Sequence, residues 1–336
     1  MTDNRQPGVL VVGTGSIGER HLRCFLNTGR VRASFVEPQP ELRSRIAREY
    51  GVTGYDSLDA AAAEQFDLAV IATPAPSHIP IANELLERGL HLLIEKPLSI
   101  STEGVRDLIA RAEQQSRVCG VAYVYRCHPV LTAMREALLS GRFGQPVELV
   151  VVTGQHFPTY RPAYKEIYYK DHATGGGAIQ DALTHLLNAG EWLLGPVTRL
   201  VTDASHQVLA GVEVEDTVHL LARHGRVMGS YSLNQHQAPN ELTLTVICEQ
   251  GTLRFESHLH RWRWMTTPGT DWQIEAIAPL ERDTIFISQA NRFLDAIEGH
   301  APFPCTLQDG FQTLCVNLAA LTSADEGEWQ DVTLPD

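Results

Sequence analysis

In the stretch GGGAIQDALTHLLN, residues 175–188, an aspartate and a histidine stand four positions apart, directly after three glycines. Leucines follow at helical intervals, so Asp181 and His185 are expected on one face of a single helix, within reach of a carboxylate–imidazole hydrogen bond. Histidine is the side chain whose unperturbed pKa lies nearest neutrality, which suits it to take up or release a proton. A carboxylate beside it offsets local positive charge. Taken alone, such a pair is more often a helix-capping aspartate and a packed core histidine, so the rest of the chain has to decide.

Two further stretches carry chemistry-bearing residues. HLLIEKP, residues 91–97, is an apolar, strand-like run ending in a lysine. A lysine at a buried strand end needs a partner or a task, unless its stem lies on the surface with the ammonium in water. VLVVGTGSIGERHL, residues 9–22, holds Gly13, Gly15 and Gly18 in G-x-G-x-x-G spacing between a buried strand and a helix. In that context Gly13 makes the tight turn, Gly15 lets backbone approach a pyrophosphate, and Gly18 lets helix and strand pack closely. The helix N-terminus adds free N–H groups and the positive end of its dipole. Glu37, 19 residues after Gly18, ends the second strand and suits a ribose diol, which favours NAD. Arg43 and Arg45 nearby keep NADP open.

The elements that must position these residues follow a clear rhythm. Up to about residue 124, buried-strand runs (9–13, 33–37, 67–73, 91–96 and 118–124) alternate with helical segments. That pattern predicts a doubly wound parallel sheet of the Rossmann type. After residue 145, strand-like segments joined by the turn signals HG (224–225) and QG (250–251) predict an α+β domain with an open, mostly antiparallel sheet. Two helices are expected near 284–299 and 308–323. The expected division is therefore 1–124, a dinucleotide-binding domain, and 125–336, a substrate-binding and oligomerisation domain.

Composition narrows the partners. A chain of 336 residues with a formal charge of −13 and no concentrated basic patch is a poor nucleic-acid binder. No apolar run reaches the roughly 20 residues of a membrane helix, and the N-terminal MTDNRQPG lacks the parts of a signal peptide. Six cysteines without a CxxC pair read as free thiols of a cytoplasmic protein. His258 and His260 have no convincing third ligand, and no metal is expected.

GTGSIGERH (13–21), VIATPAPSHIPIANELLERGLHLLIEKPLS (70–99), GGGxxxDxxxH (175–185) and the closing FLDAIEGHAPFPCTLQDGFQTLCVNLAALTSADEG together resemble the Gfo/Idh/MocA oxidoreductase family over essentially the whole chain. The resemblance implies cofactor contacts at Gly13, Gly15, Ser16, Ile17, Gly18 and Glu37. It places Thr73, Pro74 and His78 along the dinucleotide, and Glu95, Lys96 and Pro97 near the nicotinamide. It also implies that Lys96 points into the active site and polarises the substrate oxygen, and that the peptide before Pro97 is often cis. His185 would take the proton of a substrate hydroxyl as hydride leaves the same carbon, with Asp181 in the same cluster. Asn188 stands where many members carry an aspartate, which bears on substrate identity more than on reaction type.

The expected activity is NAD(P)-dependent hydride transfer between a secondary hydroxyl of a sugar, polyol or sugar-nucleotide-like substrate and the nicotinamide. Alternatives are a lyase or glycoside hydrolase that retains NAD and uses transient oxidation, and a non-enzymatic NAD(P) or sugar sensor. Arg126 and His128 in YVYRCHPVL, and Tyr168 in the aromatic loop 154–177, are candidate substrate contacts. The loop resembles a branch of the family often linked to modified or nucleotide-linked sugars. The open sheet, with Trp262, Trp264 and the 241–248 strand on its exposed side, is expected to pair subunits into a homodimer or homotetramer.

Overall fold

The structure, a computed structural model, describes residues 6–334. The first five residues, on which part of the expectation about a leader rests, lie outside the described residues. Its contacts divide the chain into two compact units: residues 1–127 with 282–310, and residues 128–281 with 311–336. Sequence rhythm put one boundary at 124/125; the contacts put it at 127/128 and return a later segment to the first unit.

The first unit holds six parallel strands: β1 (Gly8–Val12), β2 (Arg32–Val36), β3 (Thr53–Tyr55), β4 (Leu68–Ile71), β5 (His91–Ile94) and β6 (Cys119–Val121). Their order is β3-β2-β1-β4-β5-β6. Every residue of β1 and β4 is buried, as expected for parallel strands covered on both faces. The covering helices are α1 (Ser16–Asn27), α2 (Pro40–Tyr50), the single-turn α3 (Leu58–Ala61), α4 (His78–Glu87) and α5 (Val105–Gln114). Strand order reverses between β1 and β4, and open α/β sheets bind ligands at the carboxyl ends beside such a switch.

The second unit contains α6 (Pro129–Leu139), the short α7 (Phe157–Tyr160), α8 (Thr184–Leu194) and a nine-stranded sheet. Its strands are β7 (Pro146–Gly154), β8 (Arg199–Ser205), β9 (Thr217–His224), β10 (Val227–Asn234), β11 (Glu241–Cys248), β12 (Gly251–Glu256), β13 (Arg261–Met265), β14 (Gln273–Ala276) and β15 (Gln330–Asp331). The order is β14-β13-β12-β11-β7-β10-β9-β8-β15. Only the central β7–β10 pair is parallel among the described ladders of this sheet. The β9–β10 hairpin turns at Gly225, where φ is +60°.

One expectation about this sheet is corrected. Trp262 is buried, and Trp262 and Trp264 pair with Phe255 and Leu253, so the tryptophans belong to the inner face. Leu242, Leu244 and Val246 of β11 are buried as well. Alternation gives the outer positions of β13 to Arg261 and Arg263, and the Trp272 ring stacks under Arg254 and Arg263. The apolar part of the outer face is carried instead by Val152, Leu221 and Met228, each slightly more than half exposed.

Two helices close the chain, α9 (Thr284–Ile297) and α10 (Leu307–Glu326). Helix α9 packs on α1: Phe286 joins a buried cluster with Cys24 and Val124. Arg23 reaches Asp283 at 2.5 Å, and Arg30 reaches Asp295 at 2.8 Å. These contacts draw 282–310 back to the first unit. Among the described residues, no helix is long and apolar enough to cross a membrane.

Candidate active site

The glycine-rich turn has the three properties its spacing implies. Gly13 sits at φ +81°, a backbone state that L side chains rarely adopt. A Cβ on Gly18 would overlap the Gly13 carbonyl oxygen, so only glycine lets α1 approach the turn. A Cβ on Gly15 would meet nothing within 4 Å, and Gly15 and Ser16 are exposed. The turn is thus closed on its protein side and open at the first residues of α1, a helix start of the kind that accepts an anion.

Glu37 follows β2 and is buried. Its Oε2 accepts from the Thr14 N–H and hydroxyl, both at 3.1 Å, and Oε1 accepts from the Gln39 N–H at 3.0 Å. The carboxylate is therefore fixed at the end of β2, one residue from Gly13 and Gly15 through Thr14. Both arginines that kept NADP open are engaged. Arg43 donates to the carbonyls of Glu37 and Pro38, and Arg45 pairs with Glu19 and Glu49.

The loops after β4 and β5 are tied together by His78. Its ring nitrogens lie 2.8 Å from the Thr73 carbonyl and 3.1 Å from the Pro97 carbonyl. Burial holds the His78 pKa below its ordinary value, against the raising effect of those carbonyls. His78 thus fixes the turn that carries Thr73 and Pro74, while Pro74 itself is exposed. The Lys96–Pro97 peptide is cis. Lys96 is half-buried, and its N–H donates to the Glu95 carboxylate at 3.0 Å. Glu95 is buried and reaches the buried His21 of α1 at 2.7 Å. Burial would raise the Glu95 pKa, but the bond to His21 and the charges of His21 and Lys96 outweigh it and hold the carboxyl low. Motif and spacing assign His21 no role. Its signal was a histidine on the apolar stripe of α1, where a buried polar group requires a partner.

In the second unit, Gly175 and Gly177 have φ of +86° and +85°. A Cβ on Gly176 would strike the Tyr168 and Tyr169 carbonyls, and one on Gly177 would lie 2.6 Å from Glu215 Oε2. The helix that follows is not regular. Residues Ile179–Leu183 are π-wound before α8 begins at Thr184, and such turns concentrate at functional sites. From 179 to 190 only Asp181, Ala182 and His185 escape full burial. The wider turn keeps the aspartate and histidine on the one face that is not packed. Tyr168, exposed, donates its hydroxyl to Asp181 Oδ1 at 2.7 Å.

Asn188 is buried and donates to Thr313 Oγ1 at 2.9 Å, and Thr313 donates to Glu191 at 2.6 Å. It belongs to the polar seam between α8 and α10. Arg126 is buried, donating to the Pro304 carbonyl at 2.8 Å and pairing with Asp309 at 3.1 Å. His128 is buried edge-on to Phe255, and burial pushes its pKa down to about 4. Arg126 and His128 are thus anchored within the first and second unit respectively, whereas Tyr168 meets Asp181 directly. Glu215 and His172, to which no motif points, lie against the start of the π turn. The acidic doublet Glu215-Asp216 at the head of a strand was the available signal. Among the described residues, Asp295, Glu298 and His300 form one group with metal-ligand spacing, and Arg30 pairs with both of its carboxylates.

Comparison with known proteins identifies the family. Residues 8–123 match the description "Oxidoreductase family, NAD-binding Rossmann fold", and residues 131–254 match "GFO/IDH/MocA C-terminal domain". The chain belongs to the Gfo/Idh/MocA oxidoreductase family. A UDP-N-acetylglucosamine 3-dehydrogenase of Acidithiobacillus ferrooxidans is 26% identical over 320 residues, covering 93% of this chain and 94% of that protein. A levoglucosan dehydrogenase solved with NADH superposes with a TM-score of 0.89 at 20% identity, covering 98% of this chain and 100% of the other. The WlbA dehydrogenase of Bordetella pertussis, solved with NADH and UDP-GlcNAcA, gives 0.83 at 22% identity, covering 98% and 100%.

Proposed function

We propose that this family member oxidises a secondary hydroxyl of a sugar, polyol or nucleotide-linked sugar with NAD, or runs the reverse reduction. The observation that carries this reading is the partly exposed Asp181–His185 face, with Tyr168 bonded to Asp181, on a stretch (179–190) in which only Ala182 besides them escapes full burial. The same chain supplies an NAD-binding Rossmann domain. The relatives support the substrate class, since they are named as dehydrogenases of UDP-N-acetylglucosamine and of levoglucosan.

A dinucleotide held in the first unit would supply the acceptor or donor of the hydride. The chain's own groups do the rest. Gly13, Gly15, Ser16, Ile17 and Gly18 present backbone to the pyrophosphate, and Glu37 accepts from the ribose hydroxyls. Thr73 and Pro74 would flank a bound dinucleotide on the turn that His78 ties to the Pro97 loop. Glu95 and Pro97 set the strand end that carries Lys96. The Lys96 ammonium stabilises charge developing on the substrate oxygen, His185 takes the hydroxyl proton, and Asp181 balances the imidazolium so formed. Tyr168 orients Asp181 and offers an exposed aromatic edge to substrate. The buried contacts of Arg126 and His128 favour support of the surrounding structure over direct contact. With Arg43 and Arg45 occupied, NAD is favoured over NADP. The outer sheet face, with Val152, Leu221 and Met228, fits a second copy of the chain, and six free cysteines fit a cytoplasmic location.

The test is a fluorescence titration with NADH and NADPH, followed by NAD reduction assays on inositols, anhydrosugars and UDP-sugars. Glu37→Ala is expected to weaken NADH binding by about 1.5–3 kcal/mol. His185→Ala is expected to bind NADH normally while turnover falls by about 10²–10⁴-fold. A wild-type protein that binds neither cofactor would end this reading.

A further inference from the structure

The Glu215 carboxylate is shared between two elements. Oε1 accepts from the Ile179 N–H at 2.8 Å, the first residue of the π turn, and the Glu215 carbonyl accepts from the Ala178 N–H at 3.1 Å. Oε2 lies 2.5 Å from His172 Nε2. Glu215 is buried, whereas His172 is half-exposed. The His172 carbonyl also accepts from Gln180, on the same turn, at 3.2 Å. A Cβ on Gly177 would lie 2.6 and 2.7 Å from the two carboxylate oxygens and 2.8 Å from His172 Nε2. The glycine run that precedes Asp181 thus leaves room for this pair; the Glu215 side chain holds the Ile179 N–H, and its backbone carbonyl holds the Ala178 N–H. Tyr169 braces the other side, donating its hydroxyl to Gln235, with the Glu215 carbonyl 3.4 Å away.

We propose that Glu215 is the positioning residue for Asp181 and His185, with His172 as the counter-ion that keeps its carboxylate in place. This rests on the reading that those two residues form part of the active site. Two buried N–H groups at the start of a turn need acceptors, and a carboxylate is a stronger acceptor than water for the one it meets. Because the turn carries Asp181 near its centre, a shift at Ile179 moves the aspartate and the helix behind it. His172 faces Glu215 across the glycines and lies in the fields of Asp171 on its own turn and Asp325 of α10. The Glu215 bond holds the imidazole above its ordinary pKa, so the ion pair is intact at lower pH and lost as pH rises through that raised value.

The experiment compares wild type with Glu215→Ala, Glu215→Gln and His172→Gln in the full chain. Amide hydrogen exchange is read over residues 175–188, alongside kcat, KM and NADH affinity across pH. Glu215→Ala is expected to lose at least about tenfold of the protection at Ile179 and the following turn. Its kcat should fall by about 10–100-fold with NADH affinity unchanged. Glu215→Gln restores an acceptor for Ile179 and should recover most of both. His172→Gln should keep the fold while removing the step in protection that wild type shows as His172 deprotonates. A folded Glu215→Ala protein with wild-type protection and kcat would overturn the proposal. So would a His172→Gln protein that keeps the pH step. If Glu215→Ala does not fold, the glutamine variants decide. Protection is read without substrate, so an inactive wild type would remove the dehydrogenase reading while the exchange data still decide the clamp.

Discussion

Glu95 and Glu37 show how a carboxylate's neighbours set its task. Glu37 closes on Thr14 and Gln39, so its position is set by the turn that receives the dinucleotide. Glu95 is held by His21 and by the Lys96 N–H, which makes it a support for the lysine. Removing one partner of a buried pair leaves the other uncompensated, and His21→Ala should destabilise the protein by about 3–5 kcal/mol in urea unfolding. The pH dependence has a definite sign. Glu95 is held below its ordinary value of 4.5, so its contribution is present above that pH and lost as pH falls through the lower folded value. The gap between His21→Ala and wild type should be widest near neutrality and narrow below pH 4.5; a gap independent of pH would refute the assignment. Glu37 and Lys96 were legible because each ends an apolar run. His21 was not, because its partner lies 74 residues away.

At the scale of elements, the two glycine runs serve opposite ends. In the first, one position faces open space and another is filled by its own turn. Gly15→Ala should therefore leave the unfolding midpoint unchanged yet weaken NADH by about tenfold or more, the effect of a methyl group set where backbone must approach the pyrophosphate. Gly18→Ala should cost about 1–3 kcal/mol of stability through overpacking. If both variants lose stability equally, the open face is not where the ligand sits. The second run was read as a marker for the helix behind it. Its physical content, room for Glu215 and close approach to the Tyr168–Tyr169 carbonyls, depends on segments distant in sequence. For the same reason periodicity gave a regular helix through Asp181, whereas the observed π turn bonds to Tyr168 and Glu215, partners that no local pattern records.

For the whole molecule, strand alternation and turn signals were enough to read a parallel sheet followed by an open mixed one. The face assignment of the second sheet was harder, since β13 alternates arginine with tryptophan and either set suits an exposed edge. Register settles it, placing Trp262 opposite buried Phe255. The surface expected to pair subunits is therefore centred on Val152, Leu221 and Met228. Met228→Glu should halve the mass seen by light scattering without lowering NADH affinity; an unchanged mass would end the assignment of a subunit interface to this face.

The chain passes between its two units at 127/128, 281/282 and 310/311. On the ribosome this becomes a matter of timing. When residue 127 has emerged, the surface around Cys24 and Val124 still lacks Phe286, and the 154 residues 128–281 separate the unit from its returning segment. At roughly 5–20 residues per second that interval is on the order of 10–30 s. During it the nascent Rossmann unit carries an uncovered apolar patch and an accessible thiol. A stalled chain ending near residue 200 should react with a maleimide at Cys24, where the finished protein resists; the delay marks when a chaperone has something to hold.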